Sequence, residues 1–190
     1  MFENCGFGFG SVNGGPGGLP LNYGLFSQTG DSTPITNTTN ELSLIDGGVG
    51  TLSVPANAFK VGDAFSANFS GLLSSLNNSQ LTINIKSGST ILATSGTQLL
   101  PASTNDVWLL YINFTVRQIG ISNLASLITV GTFYDIKKSN GQQQSFSFEY
   151  LNNTTFDTTV PNTLDVTAQW GIASSSNSIY SNIFNLQKIF

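Results

Sequence analysis

Apolar and polar residues alternate with a period of two along much of this chain, and this alternation dictates its fold class. The clearest stretch is WLLYINFTVR at residues 108–117, where every second residue from Trp108 to Val116 is apolar. Successive side chains of a β-strand point to opposite faces, so such a stretch predicts a half-buried antiparallel strand. The same pattern recurs in AFSANFS at 64–70, SFSFEY at 145–150 and LDVTAQW at 164–170.

The apolar faces of these four strands predict the hydrophobic core. Their members are large and apolar, and within each strand they share one face. They are Phe65, Phe69, Trp108, Ile112, Phe114, Phe146, Phe148, Leu164, Val166 and Trp170.

Less regular strands are expected at residues 24–28, 41–45, 50–54, 81–86, 90–94, 124–135 and 179–189, separated by turn sequences rich in Gly, Ser and Asn. We expect a loop at 99–106 and a single helical turn within 54–63. The last strand is apolar enough to be an interior strand near a subunit interface. Many short strands with short connections predict an all-β antiparallel sandwich. Their number favours a jelly roll over an immunoglobulin-like sandwich.

Residues 1–22 differ from the rest in being rich in glycine and nearly uncharged. Glycine loses the most backbone entropy on ordering, so we expect an extended arm that is ordered by other protein chains. Residues 23–190 are then a single β-sandwich domain. The residues of the arm that would make contacts are Phe2, Cys5, Phe7, Phe9, Leu19 and Leu21. Because Cys5 is the only cysteine, a disulfide within the domain is excluded.

The charge and histidine content excludes several classes of function. The chain has ten acidic and six basic residues and no histidine. A Ser-His-Asp triad and a histidine metal site are therefore impossible. Lys137 and Lys138 are the only basic cluster, which argues against nucleic acid as a partner. We expect no enzymatic activity, no cofactor, no bound metal, no membrane insertion and no secretory signal peptide.

The candidate functional side chains are asparagines of glycosylation sequences and aromatic rings rather than carboxylates. Most Asp residues lie beside Gly, Asn or Ser, where Asp typically caps a turn. Asn68 and Asn113 belong to Asn-x-Ser/Thr sequences on the polar faces of their strands and are candidate glycosylation sites. Tyr111, Tyr134 and Trp170 would favour a binding function if they lay exposed in a shallow groove, but we expect all three to pack in the core or at a subunit interface instead.

Three stretches together resemble a known group of proteins. GTLSVPANAFKVGDAFSANFSG, YLNNTTFDTTVPNTLDVTAQWG and NSIYSNIFNLQKIF are similar to phrases in β-sandwich domains of virion surface and capsid proteins of large double-stranded DNA viruses and related phages. The resemblance covers about residues 23–190 and includes no catalytic residue. It implies a jelly-roll-like sandwich that self-associates around a symmetry axis.

Two functions remain open at this point. The first is a structural virion protein, such as a minor capsid, vertex, penton or fibre-head component. It would form a homo-oligomer, a trimer or pentamer, and would contact other capsid proteins through its N-terminal arm. The second is a carbohydrate- or receptor-binding module of C1q/TNF-like or lectin-like type, with a host glycan or receptor as partner.

Overall fold

The computed structural model describes the backbone of residues 23–120, 124–137, 141 and 143–190. The arm residues Phe2, Cys5, Phe7, Phe9, Leu19 and Leu21 lie outside the described residues, so their predicted contacts stay a prediction.

The described residues form fourteen strands and no helix. In chain order the strands are β1 (Tyr23–Gln28), β2 (Ile35–Thr36), β3 (Leu42–Ser43), β4 (Gly48–Gly50), β5 (Ser53–Val54), β6 (Ala64–Ser75), β7 (Ser79–Ser87), β8 (Thr90–Thr94), β9 (Gln98–Leu100), β10 (Ser103–Ile119), β11 (Leu124–Ile136), β12 (Gln143–Asp157), β13 (Asn162–Trp170) and β14 (Ser178–Lys188).

Two antiparallel sheets contain these strands. The large sheet has the order β12-β11-β10-β6-β14-β1-β4, and β2 pairs with β14. The small sheet has the order β3-β13-β7-β8, with β5 on β13 and β9 on β7. The predicted all-β antiparallel sandwich is confirmed, whereas the jelly-roll connectivity is not confirmed. The closing strand β14 lies between β6 and β1, so its interior position is confirmed.

The inner faces of the two sheets enclose one hydrophobic core. Of the predicted core residues, Phe146 is partly buried and the others are buried. A row of aromatic rings crosses five neighbouring strands of the large sheet. Its successive ring centroids lie 4.0–6.5 Å apart in the order Phe184, Phe69, Trp108, Phe133 and Phe146. Burial of this much apolar surface is the main source of stability for the fold.

The predicted loop at 99–106 is wrong. This segment contains β9 and the first residues of β10. Ser103 pairs with Ser75 and Asp106 pairs with Leu73, and a bulge lies between them. Asn105 takes a positive φ of 51° in this bulge, a backbone conformation that asparagine adopts more readily than most residues. The turn-like sequence therefore encodes an irregularity within a strand.

The predicted helical turn within 54–63 is also wrong, because this segment consists of a strand end followed by two turns. Ala58 N–H donates to the carbonyl of Pro55 at 3.2 Å, which closes the first turn. The second turn needs Gly62, whose φ is +98°. The predicted strands 41–45 and 50–54 are shorter than expected, since β3, β4 and β5 contain only two or three residues each.

Candidate functional site

The outer face of the large sheet carries a pair of tyrosines on two adjacent strands. Tyr111 lies on β10 and Tyr134 on β11, where Leu109 is directly opposite Tyr134 and Tyr111 is opposite Thr132. The tyrosines are therefore diagonal neighbours, a spacing that aromatic side chains bridge. Their ring centroids are 6.1 Å apart, and the ring planes are at 71° to each other. Edge-to-face contact of this kind is a favourable arrangement of two aromatic rings.

Tyr111 is 43% exposed and Tyr134 is partly exposed. The alternation along β10 explains this, because its even-numbered residues from Trp108 to Phe114 point into the core. Its odd-numbered residues point outward. An exposed tyrosine offers a rigid apolar surface and a hydroxyl at little cost in side-chain entropy. The pair is thus suited to binding a ligand from solution.

Polar side chains surround Tyr111 on the neighbouring strands. Asn68 of β6 is its cross-strand partner on one side and Thr132 of β11 on the other. Asn113 follows two residues later on β10 and is exposed. Among the described residues, none forms a hydrogen bond with the side-chain amide of Asn68 or Asn113. Each amide therefore has both a donor and an acceptor group available for an external partner.

The structure thus brings together four residues that the sequence singled out separately: Tyr111, Tyr134, Asn68 and Asn113. The predicted glycosylation of the two asparagines stays a prediction. A sugar chain attached to either one would cover Tyr111, because both lie beside it in the sheet. Glycosylation and ligand binding at this face would therefore exclude one another.

Trp170 does not belong to the exposed site. It is 1% exposed, and its indole N–H donates to the carbonyl of Ile35 at 2.9 Å. Its place on the apolar face of LDVTAQW agrees with this burial, so the expected core packing is correct for Trp170, whereas it is wrong for Tyr111, whose side chain is exposed on the outer face. Sequence reasoning missed Thr132, because nothing local to residue 132 shows that it lies opposite Tyr111.

Several carboxylates have structural partners. Asp46 accepts the N–H of Gly47 at 2.8 Å, and this hydrogen bond, with those from Thr33, lowers the pKa of the Asp46 carboxyl. Asp157 accepts the hydroxyl of Thr159 at 2.6 Å and its N–H at 2.8 Å, which lowers the pKa of Asp157. Both groups cap turns as the sequence predicts.

Glu41, the residue before β3, joins β7 and β13 at the outer face of the small sheet. Its carboxylate accepts hydrogen bonds from the hydroxyl of Thr167, the amide of Asn84 at 2.9 Å and the ammonium of Lys86 at 3.2 Å. The bond from Thr167 is the main cause of a lowered pKa of Glu41, followed by that from Asn84. These hydrogen bonds make Glu41 a structural residue.

Asp106 and Asp135 form a buried acidic pair at the inner face of β10 and β11. Asp135 is 1% exposed, and its Oδ1 has no hydrogen-bond partner among the described residues. Burial raises the pKa of Asp135, and the nearby charge of Asp106 raises it further. The prediction that most Asp residues cap turns does not hold for these two, since a bulge and strand pairing carry them into the core.

Two concave regions are less suited to binding a ligand than the outer face around Tyr111. The apolar cavity between the sheets near Phe59 and Phe156 has a volume of about 20 Å³, room for about one water molecule. A polar groove of about 280 Å³ crosses the small sheet and is lined by Thr39, Gln80 and Gln169. The aromatic side chain at this groove belongs to the buried Trp170 and offers no exposed ring.

Neither a metal-binding cluster nor a membrane-spanning helix occurs in the described part of the chain. No group of three or more His, Cys, Asp or Glu side chains lies close enough there to hold a metal ion. No helix in residues 23–120, 124–137 and 143–190 has the length and apolar character needed to cross a membrane.

Comparison with known proteins gives weak likeness to solved structures only. No protein-family model matches this chain, and no curated protein matches it. The CBM2 module of the evolved Dit of Lactobacillus casei BL23 phage J-1 aligns with 13% identity and a TM-score of 0.30. That alignment covers 71% of this chain and 66% of the module, just under two thirds of its length. Lectin II from Ulex europaeus aligns with 11% identity and a TM-score of 0.29, over 84% of this chain and all of the lectin. Likeness at this level carries no argument about function.

Proposed function

We propose that this protein is a carbohydrate-binding β-sandwich whose ligand binds at the outer face of the large sheet. The observation that carries the proposal is the exposed Tyr111, in contact with Tyr134 and flanked by the unpartnered amides of Asn68 and Asn113. A sugar ring has one rather apolar face of C–H groups and a rim of hydroxyls. The ring of Tyr111 fits the first, and the amides fit the second.

The expected affinity follows from the number of contacts. An aromatic contact contributes about 0.5–1.5 kcal/mol beyond the surface that it buries. A hydrogen bond contributes about 0.5–1.5 kcal/mol net. Two rings and two or three amide bonds sum to about 2–7 kcal/mol before the entropy cost of association is subtracted, so we expect a single site to bind with a dissociation constant of about 1 mM or higher. A shallow open sheet face is consistent with such weak binding by a single site.

We place this module on a virion surface as part of a homo-oligomer, a trimer or pentamer. The resemblance of its sequence phrases to virion surface domains supports this location. Several weak glycan sites on one particle would act together and bind far more strongly than one site. Contact of the arm residues with other capsid proteins belongs to the same proposal.

A purely structural capsid role is the second candidate. It is favoured by the exposure of Val130 and of Ile183, which is 55% exposed, on the same outer face as Tyr111. Exposed apolar side chains on a sheet suit contact with a second copy of the chain. For both candidate functions we propose that the protein has no catalytic activity. The chain has no histidine to act as a general base. Among the described carboxylates, Asp46 and Asp157 cap turns and Glu41 joins strands.

Glycan binding and self-association can be tested on the same protein. We expect wild type to bind on a glycan array and Tyr111→Ala to bind at least tenfold more weakly. Ile183→Ala, a substitution at an exposed residue on β14, should retain binding. Circular dichroism checks that both variants are folded. If wild type binds no glycan but forms a fixed oligomer that Val130→Asp dissociates, the capsid role is correct and the carbohydrate proposal is wrong.

A further inference from the structure

The two tyrosine rings form a corner rather than a flat platform. Their planes are at 71° to each other with centroids 6.1 Å apart. A flat ligand that stacks on the face of one ring therefore meets the other ring at a steep angle. Two coplanar rings would instead support an extended flat surface, as the face of a crystalline polysaccharide is. The corner fits one ring-shaped unit that stacks on one tyrosine and is bounded by the other.

The polar groups on either side of Tyr111 also restrict the site to the size of one sugar unit. Asn68 and Thr132 lie on the strands on either side of Tyr111. Neighbouring strands are about 4.8 Å apart, so these two positions are separated by roughly 10 Å across the sheet. Hydroxyl and amide groups at this separation reach the rim of a single sugar unit above Tyr111. Asn113, two residues along β10, limits the site along the strand direction.

Among the described residues, the outer face immediately around this corner is uncharged on its four central strands, and the nearest outward charge on β10 is Arg117, six residues from Tyr111 and about 20 Å along the strand. The outward residues of β6 from Ala64 to Ser74 and of β10 from Val107 to Thr115 are all uncharged. The same holds for the outward residues of β11 from Ser126 to Ile136 and of β14 from Ile183 to Gln187. A carboxylate or sulfate on a ligand would find no cation here and would lose its hydration without compensation.

Resting on the proposed function, we propose that the ligand is a neutral, soluble glycan bound through a single sugar unit in the corner of Tyr111 and Tyr134. Crystalline polysaccharides are excluded by the ring angle, and sialylated or sulfated glycans by the absence of a positive charge next to the corner. Tyr134 contributes mainly its ring, which forms the wall of the corner.

Three sets of probes test this inference. The first is neutral oligosaccharides that end in glucose, galactose, mannose or N-acetylglucosamine. The second is the same oligosaccharides with a terminal sialic acid or sulfate, and the third is insoluble cellulose and chitin. We expect binding to at least one probe of the first set, at least tenfold weaker binding to its charged form, and no retention on the insoluble polymers.

Variants of Tyr134 test the role of the corner. Tyr134→Phe keeps the ring and should retain the affinity within about threefold, whereas Tyr134→Ala should weaken binding at least tenfold. Amide resonances of residues 68, 111 and 132 should shift on titration with the bound probe.

The outcomes separate this inference from the proposed function. Retention on cellulose or chitin, abolished by Tyr111→Ala, would overturn the single-unit inference and leave carbohydrate binding standing. Preference for the charged probes would overturn neutrality alone. If Tyr134→Ala left binding unchanged, the ligand would not be bound in the corner of Tyr111 and Tyr134. If no probe of the three sets bound, both the inference and the proposed function would be wrong.

Discussion

Lys188 Nζ lies 2.7 Å from Asp63 Oδ1, and both side chains are more than nine-tenths buried. The second oxygen of Asp63 accepts the N–H of Lys60 at 2.8 Å. This ion pair joins the end of β14 to the turn that precedes β6. Since β14 and β6 are neighbours in the large sheet, the pair closes one end of the sandwich where the chain leaves its last strand.

Removal of one partner should destabilise the fold more than removal of both. Lys188→Met leaves the buried carboxylate of Asp63 without its counter-charge and should lower the free energy of unfolding by about 3–5 kcal/mol. The double variant Lys188→Met/Asp63→Asn should recover part of this loss. Denaturant unfolding of both single variants and of the double variant gives the coupling energy. A coupling below the error of measurement would contradict a structural role for the pair.

One strand supplies a matched pair of substitutions with opposite expectations. Phe114 points into the core from β10 and stacks on Phe65 with ring centroids 4.7 Å apart. Phe114→Ala should cost about 3–5 kcal/mol, as for other emptied aromatic sites. Tyr111→Ala, three residues earlier on the outer face, should cost less than about 1 kcal/mol in thermal or denaturant unfolding. Similar losses for the two variants would mean that the faces of β10 are assigned wrongly.

Asp135 should make stability decrease as the pH rises toward neutrality. Its raised pKa means that the folded protein binds this proton more tightly than the unfolded chain does. The stabilising contribution is complete below the ordinary pKa of 3.8 and is lost as the pH rises through the folded-state pKa.

Asp135→Asn should therefore be more stable than wild type at pH 7 and similar to it near pH 4. Asp31→Asn, which removes the charge of an exposed residue, is the control. Lowered pKa values of Glu41, Asp46 and Asp157 act in the opposite sense, but they cancel in the difference between variant and wild type. If the difference in stability between Asp135→Asn and wild type did not change with pH, the carboxyl of Asp135 would not be the source of the pH dependence.

Gly71 should tolerate no side chain. It lies on β6, and a Cβ added there would be 1.9 Å from the carbonyl oxygen of Tyr180 on the neighbouring strand. That oxygen also accepts the indole N–H of Trp108 at 3.1 Å, so it is not free to move away.

Gly71→Ala should therefore destabilise the protein by about 3 kcal/mol or more. Gly47→Ala, at a residue with nothing within 4 Å of the added Cβ, should change stability by less than about 1 kcal/mol. Thermal unfolding measures both variants. Equal melting temperatures of Gly71→Ala and Gly47→Ala would show that β6 and β14 are further apart than in this structure.

Local alternation alone determined which side of each long strand is buried. Trp108, Leu110, Ile112 and Phe114 are on the core side of β10 because a period of two matches the pleat of a strand. The same rule sets Tyr111 on the face opposite Trp108, although we expected Tyr111 to pack in the core or at a subunit interface. These assignments need no knowledge of the neighbouring strands, which is why they could be made from the sequence.

Tertiary structure decided which residues lie beside Tyr111. The register between β10 and β11 sets Leu109 opposite Tyr134 and so brings the two rings together. Likewise, a bulge in β10 and the same register place Asp106 near Asp135. Residues 111 and 134 are separated along the chain, and their contact depends on the pairing of whole strands. Pairing is selected by burial of the complete inner face, a property of the assembled sheets and not of any single segment.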